Sequence, residues 1–158
     1  MKKIREIMRQ GFLFFVQRSA TVAEAVRAMA THNVGIVIVL DGDRLVGVFS
    51  ERDVVRRVVD RGLDAARTPV GDVMTTTVVV ADADEDYQSA MRKMDQSNIR
   101  HLLVVSDGRP VSMLSVRDLI RVDMQVKSEE IRYLQEYLYQ VPPHLARPRS
   151  PEREAAGG

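Results

Sequence analysis

Residues 25–56 of this 158-residue chain align with residues 90–121 at a constant offset of 65, without a gap. Arg27, Met29, Asn33, Val39, Arg44 and Val46 recur as Arg92, Met94, Asn98, Val104, Arg109 and Val111, and Ser50, Arg52, Asp53 and Arg56 as Ser115, Arg117, Asp118 and Arg121. Near the start of each copy Ile7-Met8 returns as Val73-Met74 at an offset of 66, which places one inserted residue in the less regular stretch between. Two copies of one unit therefore make up residues 1–123. A unit this short has too little apolar surface to enclose a core alone, so the copies are expected to pack together.

The pattern inside each copy sets the fold class. Thr21-Val-Ala-Glu24 reads as a capping box, and Val22, Ala25, Val26 and Met29 follow at helical spacing. That helix is expected to run to about His32. The apolar, β-branched run after Gly35 predicts a buried strand, and Asp41-Gly42-Asp43 turns it into a second strand over 44–49. The second copy repeats this order, with a helix from about Asp86 to Ser97, strands over 101–105 and 111–114 around Ser106-Asp107-Gly108, and a helix from Val116. Each unit is β-α-β-β-α, and the chain is read as one α/β domain of two repeats about a pseudo-twofold axis. Repeat 1 is assigned to 1–61, a linker to 62–72, repeat 2 to 73–124, a C-terminal helix capped by Ser128-Glu129-Glu130 to 125–140, and a disordered tail to 141–158.

Composition excludes several function classes. There is no cysteine, which removes disulfides, thiolate catalysis and thiolate metal sites. Lys plus Arg number 23 against 22 for Asp plus Glu, so no global positive field attracts nucleic acid, and any anion site must be local. No signal-like or membrane-spanning apolar run is present, and the expectation is a cytoplasmic protein without membrane contact. His32, His101 and His144 lie in unrelated contexts without ligand spacing. The acidic cluster Asp82, Asp84, Glu85 and Asp86 falls where a loop meets a helix start, so it is read as helix capping rather than a cation site. The inventory does not assemble an enzyme, and no catalytic or metal residue is assigned.

What remains is the corner at the end of each hairpin. Ser50-Glu-Arg52-Asp53 and Ser115-Val-Arg117-Asp118 both lead into helices. Ser-x-x-Asp is close to a capping box, which alone accounts for Ser and Asp. It does not account for Arg. A helix start with a hydroxyl and a guanidinium suits phosphate, and a carboxylate one turn in accepts hydrogen bonds from vicinal ribose hydroxyls. Both readings stand on the residues alone.

The repeated layout, with Gly47-Val-Phe-Ser50-Glu-Arg52-Asp53 closing the first hairpin, resembles tandem cystathionine-beta-synthase (CBS) motifs, the Bateman module, over nearly all of residues 1–123. That resemblance implies a non-catalytic regulatory module whose ligand is an adenosine-containing nucleotide: AMP, ADP, ATP, NAD or S-adenosylmethionine. No other cofactor is implied. The motif Asp binds ribose in that family, which assigns Asp53 and Asp118, with Ser50 and Ser115 in support and Arg52 and Arg117 beside them. Asn98-Ile-Arg100-His101 is similar to the family stretch that faces the phosphates, so Arg100 and His101 are phosphate candidates; a basic residue at a helix C-terminus is also favoured there on its own account. Gly35 and Ile36 take their places in repeat 1, so the two sites are expected to differ, with the second half's the more phosphate-directed. Ser112 departs from the family Gly kept at Gly47, and Ile38 and Leu103 stand where many members have Pro. The resemblance also implies a homodimer and a separate protein effector. The alternative is a CBS-fold scaffold that dimerises without binding a ligand.

Overall fold

The computed structural model describes residues 1–9 and 13–139; the expected tail from 141 onward, with His144, lies outside them. Each repeat carries a three-stranded sheet. β1 (Phe15–Gln17) runs parallel to β2 (Ile36–Asp41), which pairs antiparallel with β3 (Arg44–Ser50). In repeat 2, β4 (Val80–Asp82), β5 (His101–Ser106) and β6 (Arg109–Ser115) reproduce that order. The register shifts at Val39/Leu40 in one hairpin and at Val104/Val105 in the other, so the sequence repeat extends to the bulge.

Local signals explain the elements. The capping box at Thr21 is formed: the Glu24 amide donates to Thr21 Oγ1 at 3.2 Å, and the Thr21 amide donates to Glu24 at 2.7 Å. The Thr21 amide and hydroxyl, both donating to Glu24 Oε2, hold the exposed Glu24 carboxyl below the usual range. Helix α2 (Val22–His32) follows and buries Val22, Ala25 and Met29. Its counterpart α4 (Tyr87–Gln96), capped by Asp86, buries Tyr87, Ala90 and Met94. Both helices lead into a left-handed Asn, Asn33 at φ 52° and Asn98 at φ 49°, a conformation that short polar side chains tolerate. The hairpins turn at Gly42 (φ 62°) and at Asp107-Gly108 (φ 51° and 74°), where positive φ matches the twist of the flanking strands.

Between the copies the chain is woven rather than merely linked. Helix α1 (Ile4–Ile7) lies against repeat 2: the Ile4 and Arg5 amides donate to the Glu85 and Ala83 carbonyls, and Arg5 grips Asp84 with two bonds of 2.6 and 2.7 Å. Conversely, residues 62–72 connect the repeats and also serve the first one. A short 3-10 turn, Val70–Asp72, joins Val70, Val73 and Met74 to the repeat 1 core around Phe49, Val37 and Val39. Of the acidic cluster, Asp84 holds Arg5, Glu85 binds Lys93 at 2.6 Å, and Asp86 caps α4.

The two closing helices differ. α3 (Glu51–Asp53) continues as π-helical turns over Val54–Val59. α5 runs unbroken from Val116 to Tyr139. The separate C-terminal helix expected from a cap at Ser128 is thus corrected: Ser128 is a mid-helix residue. The residues from Val116 to Tyr139 include no Gly or Pro, and nothing there gives a cap a break to close. From Ile120 onward the helix forms a unit of its own, with Met124, Ile131, Leu134 and Leu138 exposed.

Candidate functional site

The end of each hairpin meets the start of the other repeat's hairpin, β2 or β5, and this builds two cavities. The larger, about 1010 Å³, is lined by Arg100, His101, Ser115, Arg117 and Asp118 together with Gly35, Ile36, Ile38 and Glu51 of repeat 1. The smaller, about 450 Å³, is lined by Ser50, Arg52, Asp53 and Thr75, and again by Arg100 and His101. All eight residues singled out in the sequence therefore line one cavity or the other. Arg100 and His101 border both.

The corners share a backbone design. Ser50 N and Oγ donate to Asp53 Oδ2 at 2.9 and 3.1 Å, while the Asp53 amide donates back to Ser50 Oγ at 3.3 Å. Ser115 and Asp118 repeat this at 3.0, 2.7 and 3.3 Å. The capping reading of Ser and Asp is accordingly correct in both copies, and it uses one carboxylate oxygen of each Asp.

The other oxygen separates them. Asp53 Oδ1 accepts from Thr75 Oγ1 at 3.0 Å and lies 3.4 Å from Arg57 Nε, whose Nη1 also donates to the Met74 carbonyl at 2.7 Å. Asp53 is 7% exposed, and its carboxylate accepts three hydrogen bonds and pairs with the Arg57 guanidinium. Asp118 Oδ1 receives no hydrogen bond among the described residues, and it is open to solvent, because no buried side-chain oxygen among them lacks a partner. The arginines follow suit: Arg52 Nη1 donates to the Asn98 carbonyl of repeat 2 at 2.8 Å, whereas Arg117 is exposed at the cavity rim.

Gly47 and Ser112 differ for a local reason. A Cβ at 47 would stand 2.6 Å from the Thr75 carbonyl, which accepts from the Val48 amide in a backbone bridge. In repeat 2 the fully buried Ser112 hydroxyl instead donates to the Arg9 carbonyl at 2.8 Å. The serine leaves the strand register intact and satisfies a carbonyl rather than crowding the cleft.

Electrostatics converge on His101. Burial pushes its pKa below the ordinary histidine value and Arg100 acts in the same direction, while Glu51 and Asp118 oppose them. A Cβ on Gly35 would lie 3.1 Å from Glu51 Oε2 and 3.3 Å from His101 Cε1, so the bare glycine lets an acid of one repeat approach an imidazole of the other. Sequence reasoning missed Glu51, Thr75 and Arg57. The repeat held the signal: their counterparts are Val116, Arg9 and Val122, all different in charge or polarity.

The CBS domain family model matches residues 4–60 and again 70–125. The chain belongs to the CBS-domain family. Among its relatives is the mitochondrial CBS domain-containing protein CBSX3 of Arabidopsis thaliana, 33% identical over 123 residues, covering 75% of this chain and 60% of that protein's length. A CBS-domain protein of Burkholderia ambifaria, described as a signal-transduction protein, superposes with a TM-score of 0.73 at 27% identity, covering 77% of this chain and 91% of its own. A CBS domain protein of Pyrobaculum aerophilum, solved in complex with AMP, does so with a TM-score of 0.66 at 27% identity, covering 74% and 89%. Tandem CBS repeats are a regulatory nucleotide-binding fold, and this chain has two of them closing on one pair of cavities.

Proposed function

We propose that this CBS pair is a non-catalytic sensor that binds an adenosine-containing nucleotide in the larger cleft between its repeats. One observation carries the reading: Asp118 presents an uncommitted carboxylate oxygen in a cavity that also holds Arg100, His101 and Arg117. The vicinal hydroxyls of a ribose suit that oxygen, with Ser115 holding the carboxylate from behind. Phosphate suits the two arginines and the imidazole. Ile36, Ile38, Met113 and Leu114 provide apolar walls for a base. The AMP complex of the Pyrobaculum relative supports the ligand class.

Signalling is then conformational. A nucleotide touching both repeats favours the arrangement it contacts best, and only that difference in affinity is transmitted. A homodimer and a separate protein effector complete the proposal. The exposed Ile131, Leu134 and Leu138 favour the second reading, a dimerisation scaffold without ligand. Titration of the whole chain with AMP, ADP, ATP, NAD and S-adenosylmethionine distinguishes the two. Saturable heat and a raised Tm with at least one supports the sensor; no heat and no shift with any leaves the scaffold.

A further inference from the structure

We infer that the first repeat's Ser50-Glu51-Arg52-Asp53 corner is a structural latch between the repeats and that the chain takes one nucleotide, at Asp118. The inference deepens the nucleotide reading and rests on it for its ligand half. Its latch half rests on geometry alone. Two hydroxyls of a ribose need two acceptor positions. At Asp53 both positions of Oδ2 are used by Ser50 N and Oγ, while Oδ1 accepts from Thr75 Oγ1 and faces the Arg57 guanidinium at 3.4 Å, so two free positions do not remain. A ribose entering there must displace the Thr75 hydroxyl and crowd the Arg57 guanidinium at a carboxylate that is only 7% exposed.

The groups that fill Asp53 are themselves anchored. Thr75 exchanges both backbone bonds with Val48 at 2.9 and 2.8 Å, and Arg57 holds the Met74 carbonyl as well as Asp53. Arg52 extends the same corner across to repeat 2 through the Asn98 carbonyl. One side chain after another thus ties β3 and α3 to Met74 and Thr75 and to the end of the second repeat's α4. In the sequence of repeat 2, Arg9 and Val122 take the positions of Thr75 and Arg57, and Asp118 Oδ1 accepts no hydrogen bond among the described residues. The two cavities share Arg100 and His101, so a nucleotide engaging these side chains from the Asp118 side also denies them to the other.

Calorimetric titration of the full chain with AMP, paired with thermal unfolding, tests this on four proteins: the unaltered chain, Asp118→Asn, Asp53→Asn and Thr75→Val. The expected result is one AMP per chain and a loss of about tenfold or more in affinity for Asp118→Asn, the size expected of a lost hydrogen bond to a charged group. Asp53→Asn and Thr75→Val are expected to keep affinity within about twofold and to lower Tm by several degrees. Thr75→Val keeps the side-chain shape and serves should Asp53→Asn not fold. Two AMP per chain, or an about tenfold weakening in Thr75→Val, overturns the single-site assignment. An unchanged Tm in both latch variants overturns the latch, whatever AMP does. If the unaltered chain takes up no AMP or other adenine nucleotide while the latch variants still lower Tm, the nucleotide reading has failed and the latch stands.

Discussion

In repeat 1 the carboxylate after the hairpin holds Ser50, Thr75 and Arg57, and its neighbouring arginine holds a carbonyl of the other repeat. In repeat 2 the same backbone, the same capping box and the same three residue types leave one carboxylate oxygen and one guanidinium unclaimed among the described residues. A motif's identity thus does not set its use. The residues at the corresponding positions around it differ between the copies: Thr75 against Arg9, Arg57 against Val122, Gly47 against Ser112. In a duplicated fold one copy can carry stability at a position where the other is open for binding.

The comparison is most severely tested in the core. Phe49 and Leu114 occupy equivalent, nearly inaccessible positions, at 0% and 2% exposure. Truncation of each to Ala is expected to cost about 3–5 kcal/mol for Phe49 and about 2–5 kcal/mol for Leu114 in denaturant unfolding. One shared transition in both variants is expected of one cooperative domain; two separate transitions would show repeats that unfold independently.

Next in size is an exchange at the strand centre. Gly47→Ser drives a Cβ toward the Thr75 carbonyl and is expected to destabilise by about 1–3 kcal/mol, as overpacking does. Ser112→Ala leaves the Arg9 carbonyl without its donor and is expected to cost about 1–2 kcal/mol. A neutral Gly47→Ser would mean that the two corners are more alike than their contacts indicate.

His101, which borders both clefts, gives nucleotide binding a pH dependence. The His101 pKa is held low by burial, so the free protein's imidazole is largely neutral near pH 7. A bound phosphate raises that pKa, so nucleotide binding takes up protons and tightens as the pH falls toward about 6. The stability of the free chain moves the other way. Its folded-state pKa lies below the unfolded one, so stability falls as the pH drops through the ordinary histidine range. Calorimetry in buffers of different ionisation enthalpy measures the uptake, and His101→Asn is expected to reduce it to what the ligand phosphate itself contributes.

The smallest expected effect concerns the helix that has no counterpart in length. Ser128 sits inside α5, so Ser128→Ala is expected to be neutral or to stabilise by a few tenths up to about 0.5 kcal/mol. A loss of about 1 kcal/mol would instead place a helix cap there.

Most of the fold was legible in the sequence because repetition and periodicity are local signals. The capping boxes at Thr21, Ser50 and Ser115, the Asp-Gly turns and the 65-residue offset all act over a few residues or compare the chain with itself. The continuous α5 was misread because a Ser-Glu-Glu start is favourable as a cap only where the backbone breaks, and no residue there breaks it. The site was half legible. All eight candidates line the cavities, yet their commitments depend on partners far along the chain, such as Thr75 with Asp53 or Arg52 with Asn98, which no local pattern encodes. The offset of 66 pairs Thr75 with Arg9, but only the fold puts the threonine hydroxyl on the aspartate.

The most direct measurement is a crystal structure of the full chain grown with AMP. The account predicts one nucleotide per chain, its ribose hydroxyls within hydrogen-bonding distance of Asp118 Oδ1 and its phosphate facing Arg100 and His101, with the Thr75–Asp53 bond still made. A ribose seated on Asp53 with that bond broken would contradict it.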